Sequence, residues 1–224
     1  MTRAVIFDMY ETLITHFNTP LYFGAQMAQE AGIPIEKFLP LWRSTEDDRT
    51  VGKLALEEVL SMILKENHCY SEALVNKMAE KRTATKVELF KHLHSEIIPM
   101  LQALKEKGIL IGLISNCYFE EASVIRKSQL FPYFDGVYLS CEQGVKKPDE
   151  EIFRRCMKEL LVQPEECVYV GDGGSYELET AKGLGMKAVQ AVWYLKEGSG
   201  QPTGRMPEFP QAESPLEVLK YLER

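Results

Sequence analysis

The feature that most limits what this chain can become is the run Ala4-Val5-Ile6-Phe7, which passes straight into Asp8. A short apolar run bounded by polar residues reads as a strand buried on both faces. Asp8 then stands at the strand's carboxyl end, where open α/β sheets bind their ligands. A carboxylate held there, with the Thr12 hydroxyl and free backbone amides beside it, can act as a nucleophile. A turn residue or helix cap would use the same aspartate, so the rest of the chain has to decide.

From Pro99 onward, helical and strand signals alternate. Helices are expected at 99–107, 120–128, 150–161 and 178–184. Strands are expected at 109–114, 136–139, 167–170 and 187–192, the last with its alternation disturbed by Gln190. Strands that alternate with helices imply right-handed crossovers and a parallel sheet. Between Pro20 and His94 the pattern contains no strand. Apolar residues recur there at helical spacing over 21–31, 36–43, 54–65 and 71–89, punctuated by Gly32-Ile33-Pro34 and Val51-Gly52. This helical block, roughly 75 residues and within the size range of small domains, interrupts the core just after its first strand. The expected fold is therefore α/β, a Rossmann-like parallel sheet core (residues 1–16 and 95–224) with an inserted all-helical cap domain (residues 17–94). The stretch 196–214, rich in Gly, Pro and Ser, reads as a loop, and 215–222 as a short closing helix.

Composition excludes several roles. The chain has 224 residues, 45% hydrophobic and 26% charged, enough for an ordinary buried core. A net charge of −7 without a Lys/Arg-rich run argues against nucleic acid and against anionic membranes. No apolar stretch is long enough to span a bilayer, and a strand so near the start argues against a signal peptide. The cysteines at 69, 117, 141, 156 and 167 are odd in number and form no Cys-x-x-Cys pair. They read as reduced thiols in a cytoplasmic protein rather than as disulfides or zinc ligands.

Three later segments repeat the theme of the first. The strand at 109–114 delivers Ser115-Asn116 to its end, where a hydroxyl and successive amides can hold an anion; an ordinary turn would use the same pair. In Lys146-Lys147-Pro148 the proline restricts the backbone at Lys147 and sets where that ammonium points, while Lys146 reads as a solvated loop residue. Val170 leads into Gly171-Asp172-Gly173-Gly174-Ser175, with Glu177 five residues after Asp172. Glycines on both sides of Asp172 suggest close backbone approach; Glu177 also suits the first turn of a helix. If these strands are neighbours, Asp8, Asp172 and Glu177 converge. Two unit charges ~4 Å apart at an effective dielectric of ~20 repel by roughly 4 kcal/mol. Against the one Lys147, either an acid takes a proton or a divalent cation sits there. Oxygen ligands at a phosphate-type site favour Mg²⁺, the preferred reading.

Together, in this order, the four segments resemble the haloacid dehalogenase-like (HAD) hydrolase superfamily, in its helical-cap subclass. The resemblance implies that Asp8 is a nucleophile forming a covalent intermediate, that Thr12 supports its loop, and that Ser115 and Lys147 hold the transferred group, with Asn116 beside them. It implies Mg²⁺ bound by Asp8, Asp172, Glu177 and the backbone carbonyl of Tyr10. The expected activity is Mg²⁺-dependent hydrolysis of a small phosphorylated molecule through an aspartyl-phosphate.

One position departs from the phosphatases of that family, which usually carry a second aspartate, the general acid/base, two residues after the nucleophile. Tyr10 stands there, and tyrosine is a poor base near neutral pH. The family's dehalogenases carry tyrosine at this position, and Leu41-Trp42-Arg43 resembles the segment that supplies their halide-site arginine. Arg43 is therefore a substrate-binding candidate, as Arg49 and Lys53 are on charge alone. Two alternatives follow: a metal-independent 2-haloacid dehalogenase, and a non-catalytic binding protein. Against the dehalogenase stand Gly171–Glu177, which suits a cation, and Phe153, where those enzymes carry a tyrosine.

Overall fold

The protein was described from a computed structural model covering residues 1–195 and 204–222. Six parallel strands form one sheet: β1 (Ala4–Phe7), β2 (Leu110–Ser115), β3 (Gly136–Leu139), β4 (Cys167–Gly171), β5 (Lys187–Ala191) and β6 (Gln211–Ala212), in the order β3-β2-β1-β4-β5-β6. That order is the Rossmann arrangement. β1 lies between β2 and β4, with Phe7 in register with Leu113 on one side and Val170 on the other. The strand order reverses at β1, so the crevice beyond its carboxyl end is the ligand-binding position of such sheets.

Alternate residues of a strand point to opposite faces, and here both faces are covered. Val5, Phe7, Ile111, Leu113 and Val170 enter one buried cluster, and Ala4, Ile6, Ile114, Tyr169 and Ala188 enter the other. This is why β1 and β2 read as unbroken apolar runs. Helices α1 (Gly24–Ala31), α2 (Ile35–Ser44), α3 (Glu46–Thr50), α4 (Leu56–Glu66) and α5 (Glu72–Leu89) lie between β1 and β2 in sequence. They bury a third cluster of their own, including Met27, Phe38, Leu60, Ile63 and Met78. Ser71 caps α5, accepting a hydrogen bond from the Leu74 amide. The core helices are α6 (Ile97–Glu106), α7 (Phe119–Lys127), α8 (Ser140–Gln143), α9 (Glu150–Leu160) and α10 (Glu177–Leu184).

The structure corrects the sequence reading at two places. Residues 196–214 were expected to be a loop; 196–203 lie outside the described residues, and within the rest Gln211–Ala212 forms β6 on the edge of the sheet. Two residues carry too little pattern to announce a strand. The short helices α3 and α8 were not anticipated, because a single turn leaves no periodicity. The expected short closing helix is present, as a 3-10 helix (Pro215–Tyr221). No helix among the described residues is long and apolar enough to cross a membrane.

Candidate active site

At the carboxyl edge of the sheet the loops after β1 and β4, the segment before α9 and the start of α10 meet. Asp8 follows β1 directly, and its amide donates to the Val170 carbonyl at 2.9 Å. One carboxylate oxygen accepts from Lys147 Nζ at 2.5 Å, and the other lies 3.4 Å from Thr12 Oγ1. Lys147 also donates to Glu177 and, at 3.2 Å, to the Tyr169 hydroxyl; that hydroxyl donates to Glu177 at 3.1 Å. Lys147 and Glu177 are buried, at 2% and 1% exposure. Oxygens of Asp8, Asp172 and Glu177 lie within 4.8 Å of one another.

The electrostatics follow from that crowding. Burial, then the neighbouring Glu177, pushes the Asp8 carboxyl well above its usual range despite the lysine. Burial and Glu177 likewise raise Asp172 to about 7. Lys147 is held charged: its burial is outweighed by Asp8 and Glu177, which raise it. Three carboxylates thus share one ammonium, and as isolated groups they cannot all ionise cheaply. Clustered hard oxygen donors with surplus negative charge are what Mg²⁺ or Ca²⁺ requires. The donor set therefore fits the ion that the sequence implies.

Local structure explains each placement. The side chain of Asn116 donates to the Lys147 carbonyl at 2.9 Å and accepts from the Lys147 amide at 2.8 Å. The Lys147–Pro148 peptide is cis. Asn116 therefore fastens the lysine's backbone, although the sequence reading made it a substrate contact. Gly171 lets Glu177 in: a Cβ there would stand 2.1 Å from Glu177 Oε1. Glu177 Oε1 accepts from the Gly173 amide at 3.3 Å, and Asp172 accepts from the Gly174 amide at 2.9 Å. Ser115 is fully buried, and its hydroxyl is without a hydrogen-bond partner. Such a group costs stability until something pairs with it.

A cavity of about 790 Å³ opens over the cluster. Asp8, Tyr10, Asn116, Lys147, Asp172 and Glu177 line its inner end, and Phe23, Trp42 and Arg43 line it from α1 and α2 or their starts. Of the other two arginine and lysine candidates, neither reaches it. Arg49 is buried, with its guanidinium 3.6 Å above the Trp42 ring and bonded to the Trp42 carbonyl. Lys53 is exposed and pairs with Asp48. Lys146, read as solvated, pairs with Asp47 and lines the cavity. Phe153 lies in the core against Tyr169, ring centres 5.3 Å apart.

Sequence reasoning missed several contributors. Tyr169 was hidden in an apolar strand; the available signal was a hydroxyl in a run where it needs a partner. Gln190, which disturbs the last core strand, donates to the Asp172 carbonyl. Beside Tyr10, a buried polar chain runs away from Asp8. Glu11 accepts from Thr15 at 2.5 Å and contacts His16 Nδ1 at 2.9 Å; His16 Nε2 meets Lys86 at 2.7 Å. Lys86 pairs with Glu121 at 2.7 Å, and Arg82 with Glu120 at 2.7 Å. The ring of Tyr10 stacks on His16, 4.7 Å between centres. Arg82 and Lys86 share the buried face of α5 with Val75, Met78, Ala79 and Leu89, but their acidic partners lie on another helix, so nothing in the pattern marked them.

Known proteins are similar to this chain in sequence and in fold. Over 95 residues the chain is 36% identical to a glyceraldehyde 3-phosphate phosphatase of Pyrococcus furiosus; the match spans 42% of this chain but 38% of that relative's length. The fold resembles a 2-haloacid dehalogenase of Pseudomonas syringae (20% identity, TM-score 0.68, 98% and 97% of the two chains). It equally resembles a HAD phosphatase of Thermococcus onnurineus (20% identity, TM-score 0.64, 99% and 98% covered). At that identity the two structures speak for the fold alone. The model of the haloacid dehalogenase-like hydrolases matches residues 2–185, from the first strand to the end of the helix after Asp172, and this chain belongs to that family.

Proposed function

We propose that this protein is a Mg²⁺-dependent phosphohydrolase that works through an aspartyl-phosphate on Asp8. The observation that carries the reading is the carboxylate cluster: three acids crowd one ammonium at the switch point of the sheet. Asp8, Asp172, Glu177 and the Tyr10 carbonyl would hold the ion, which when bound offsets negative charge on the cluster and on a phosphoryl group. An Asp8 oxygen attacks phosphorus, and the bond to the leaving oxygen breaks. Water then attacks the same phosphorus and frees the carboxylate. Lys147 and the unpaired Ser115 hydroxyl receive phosphoryl oxygens, while Thr12 steadies Asp8. In this reading residues 17–94 are a cap, and Phe23, Trp42 and Arg43 face the leaving group. The name of the archaeal relatives supports a small phosphorylated molecule as substrate. Free cysteines fit a cytoplasmic setting.

Tyr10 shapes what that molecule is. Burial raises its hydroxyl well above the usual value, so it does not serve as a base near neutral pH. The favoured leaving groups need little protonation: aryl or acyl phosphates and anhydrides. A metal-independent dehalogenase is the second reading, because Tyr10 and Arg43 line the same cavity. One panel separates the two. Phosphate release from aryl and alkyl phosphates, with Mg²⁺ or chelator, is measured beside halide release from 2-haloacids. The proposal expects Mg²⁺-dependent phosphate release that Asp8→Asn abolishes. Halide release that persists in chelator, without phosphatase activity, sinks it.

A further inference from the structure

We infer that Gln190 is a positioning residue for the acidic loop, acting through the main chain of Asp172. The inference rests on the Mg²⁺ reading above. Gln190 lies on β5, in register with Gly171 of β4. It is 1% exposed and does not line the cavity. An apolar residue would fill the same place in the sheet, and a buried amide is costly unless it is hydrogen-bonded. Here the amide is used at both ends. Its nitrogen donates to the Asp172 carbonyl at 3.0 Å and to the Gly204 carbonyl at 2.8 Å. Its oxygen accepts from the Met206 amide at 2.8 Å and from Gln211 at 3.3 Å. These contacts take up both donors and both lone pairs of the side chain.

Further along, the loop it grips is held by two long contacts: the Gly173 amide donates to Glu177 Oε1 at 3.3 Å, and Asn116 donates to Ser175 at 3.4 Å. Gly173 and Gly174 follow Asp172 with no side chains to pack, and Gly173 adopts φ 96°. Among the described residues, the Asp172 carboxylate accepts a hydrogen bond only from the Gly174 amide, within that same loop. Where β4 ends, the Asp172 carbonyl is therefore held by the Gln190 side chain, and Gln190 in turn is fixed by the segment from Gly204 to Gln211. That return segment, far from Asp8 in sequence, is thereby tied to the orientation of a ligand carboxylate. Partners that orient metal ligands typically contribute 10–100-fold in metal affinity.

The test uses the full chain without substrate. Mg²⁺ binding is measured by titration calorimetry for wild type, Gln190→Met and Gln190→Glu, with the melting temperature in chelator followed beside it. Gln190→Met keeps the shape and removes every hydrogen bond. Gln190→Glu keeps the acceptor for Met206 but loses the donors to Asp172 and Gly204, and adds a charge that by itself favours a cation. Both are expected to weaken Mg²⁺ binding about 10–100-fold. A merely structural role would lower the melting temperature and leave the affinity of the folded protein unchanged, or tighten it in Gln190→Glu. Should either folded variant bind Mg²⁺ as tightly as wild type, the inference is overturned while the metal reading stands. Should wild type bind no Mg²⁺, both fall.

Discussion

Single side chains at this site are chosen by what their neighbours leave room for. Gly171 is the sharpest case. Gly171→Ala would place a methyl 2.1 Å from Glu177 Oε1 and push that carboxylate out of the cluster. Misplacement by about 1 Å can cost on the order of 10²-fold in rate, and a loss of that size in kcat/KM is the expected outcome of steady-state kinetics on the variant. Tyr10 invites the opposite experiment. Tyr10→Asp supplies a carboxyl where the protein has none, and a general acid typically contributes 10²–10⁴-fold. The benefit should fall on leaving groups that need a proton, so the alkyl-to-aryl phosphate rate ratio should rise. An unchanged ratio would show that leaving-group protonation is not what Tyr10 limits. Legibility in the sequence divides along the same lines. Asp8 and Asp172 were visible because they follow apolar runs, and Lys147 because a proline follows it. Tyr169 was not, because its ring suits an apolar run, and Gln190 showed only as a disturbance of its strand, with nothing in the pattern to name its partners.

Among the elements, the junction of α5 with α7 is where buried charge matters most. Arg82 and Lys86 from α5 meet Glu120 and Glu121 from α7, and the chain of contacts continues through His16 to Glu11. Burial opposes the charge on Glu121, but Lys86 and then Arg82 overcome it and hold its carboxyl down to about 2. Truncating it leaves two buried cations short of a partner. Breaking a buried pair from one side costs about 3–5 kcal/mol, and at 2–4 °C per kcal/mol for a chain of this size, Glu121→Ala should melt roughly 6–20 °C below wild type. A loss within a degree or two would show that the pair is readily resolvated. The sequence yielded the alternation of strands and helices, because the apolar pattern of each is long enough to repeat. It gave no hint of β6, α3 or α8, which are too short, nor of the α5–α7 junction, whose paired charges come from helices more than thirty residues apart.

At the level of the molecule, fold stability and the acidic site pull against each other. Asp172 is raised from an ordinary carboxylate value to about 7 by burial and Glu177, and Asp8 is raised as well. A group with a raised folded value contributes stability that is present below its unfolded value and is lost as pH rises through the folded one. In chelator, this site therefore loses stability between the normal aspartate range and about pH 7. A divalent ion that binds only the folded, deprotonated site reverses the loss. The gain in melting temperature on adding Mg²⁺ should accordingly be larger above pH 7 than below pH 5; an equal gain at both would argue that the carboxylates do not bind the ion. The central claim, that Asp8 takes up phosphorus beside that ion, is tested most directly by ¹⁹F NMR of the protein with beryllium trifluoride, a mimic of the phosphoryl group. A protein-bound fluoride signal is expected for wild type in Mg²⁺, disappearing in chelator and in Asp8→Asn. A bound signal that survives in Asp8→Asn, or a wild type that never shows one, would contradict it.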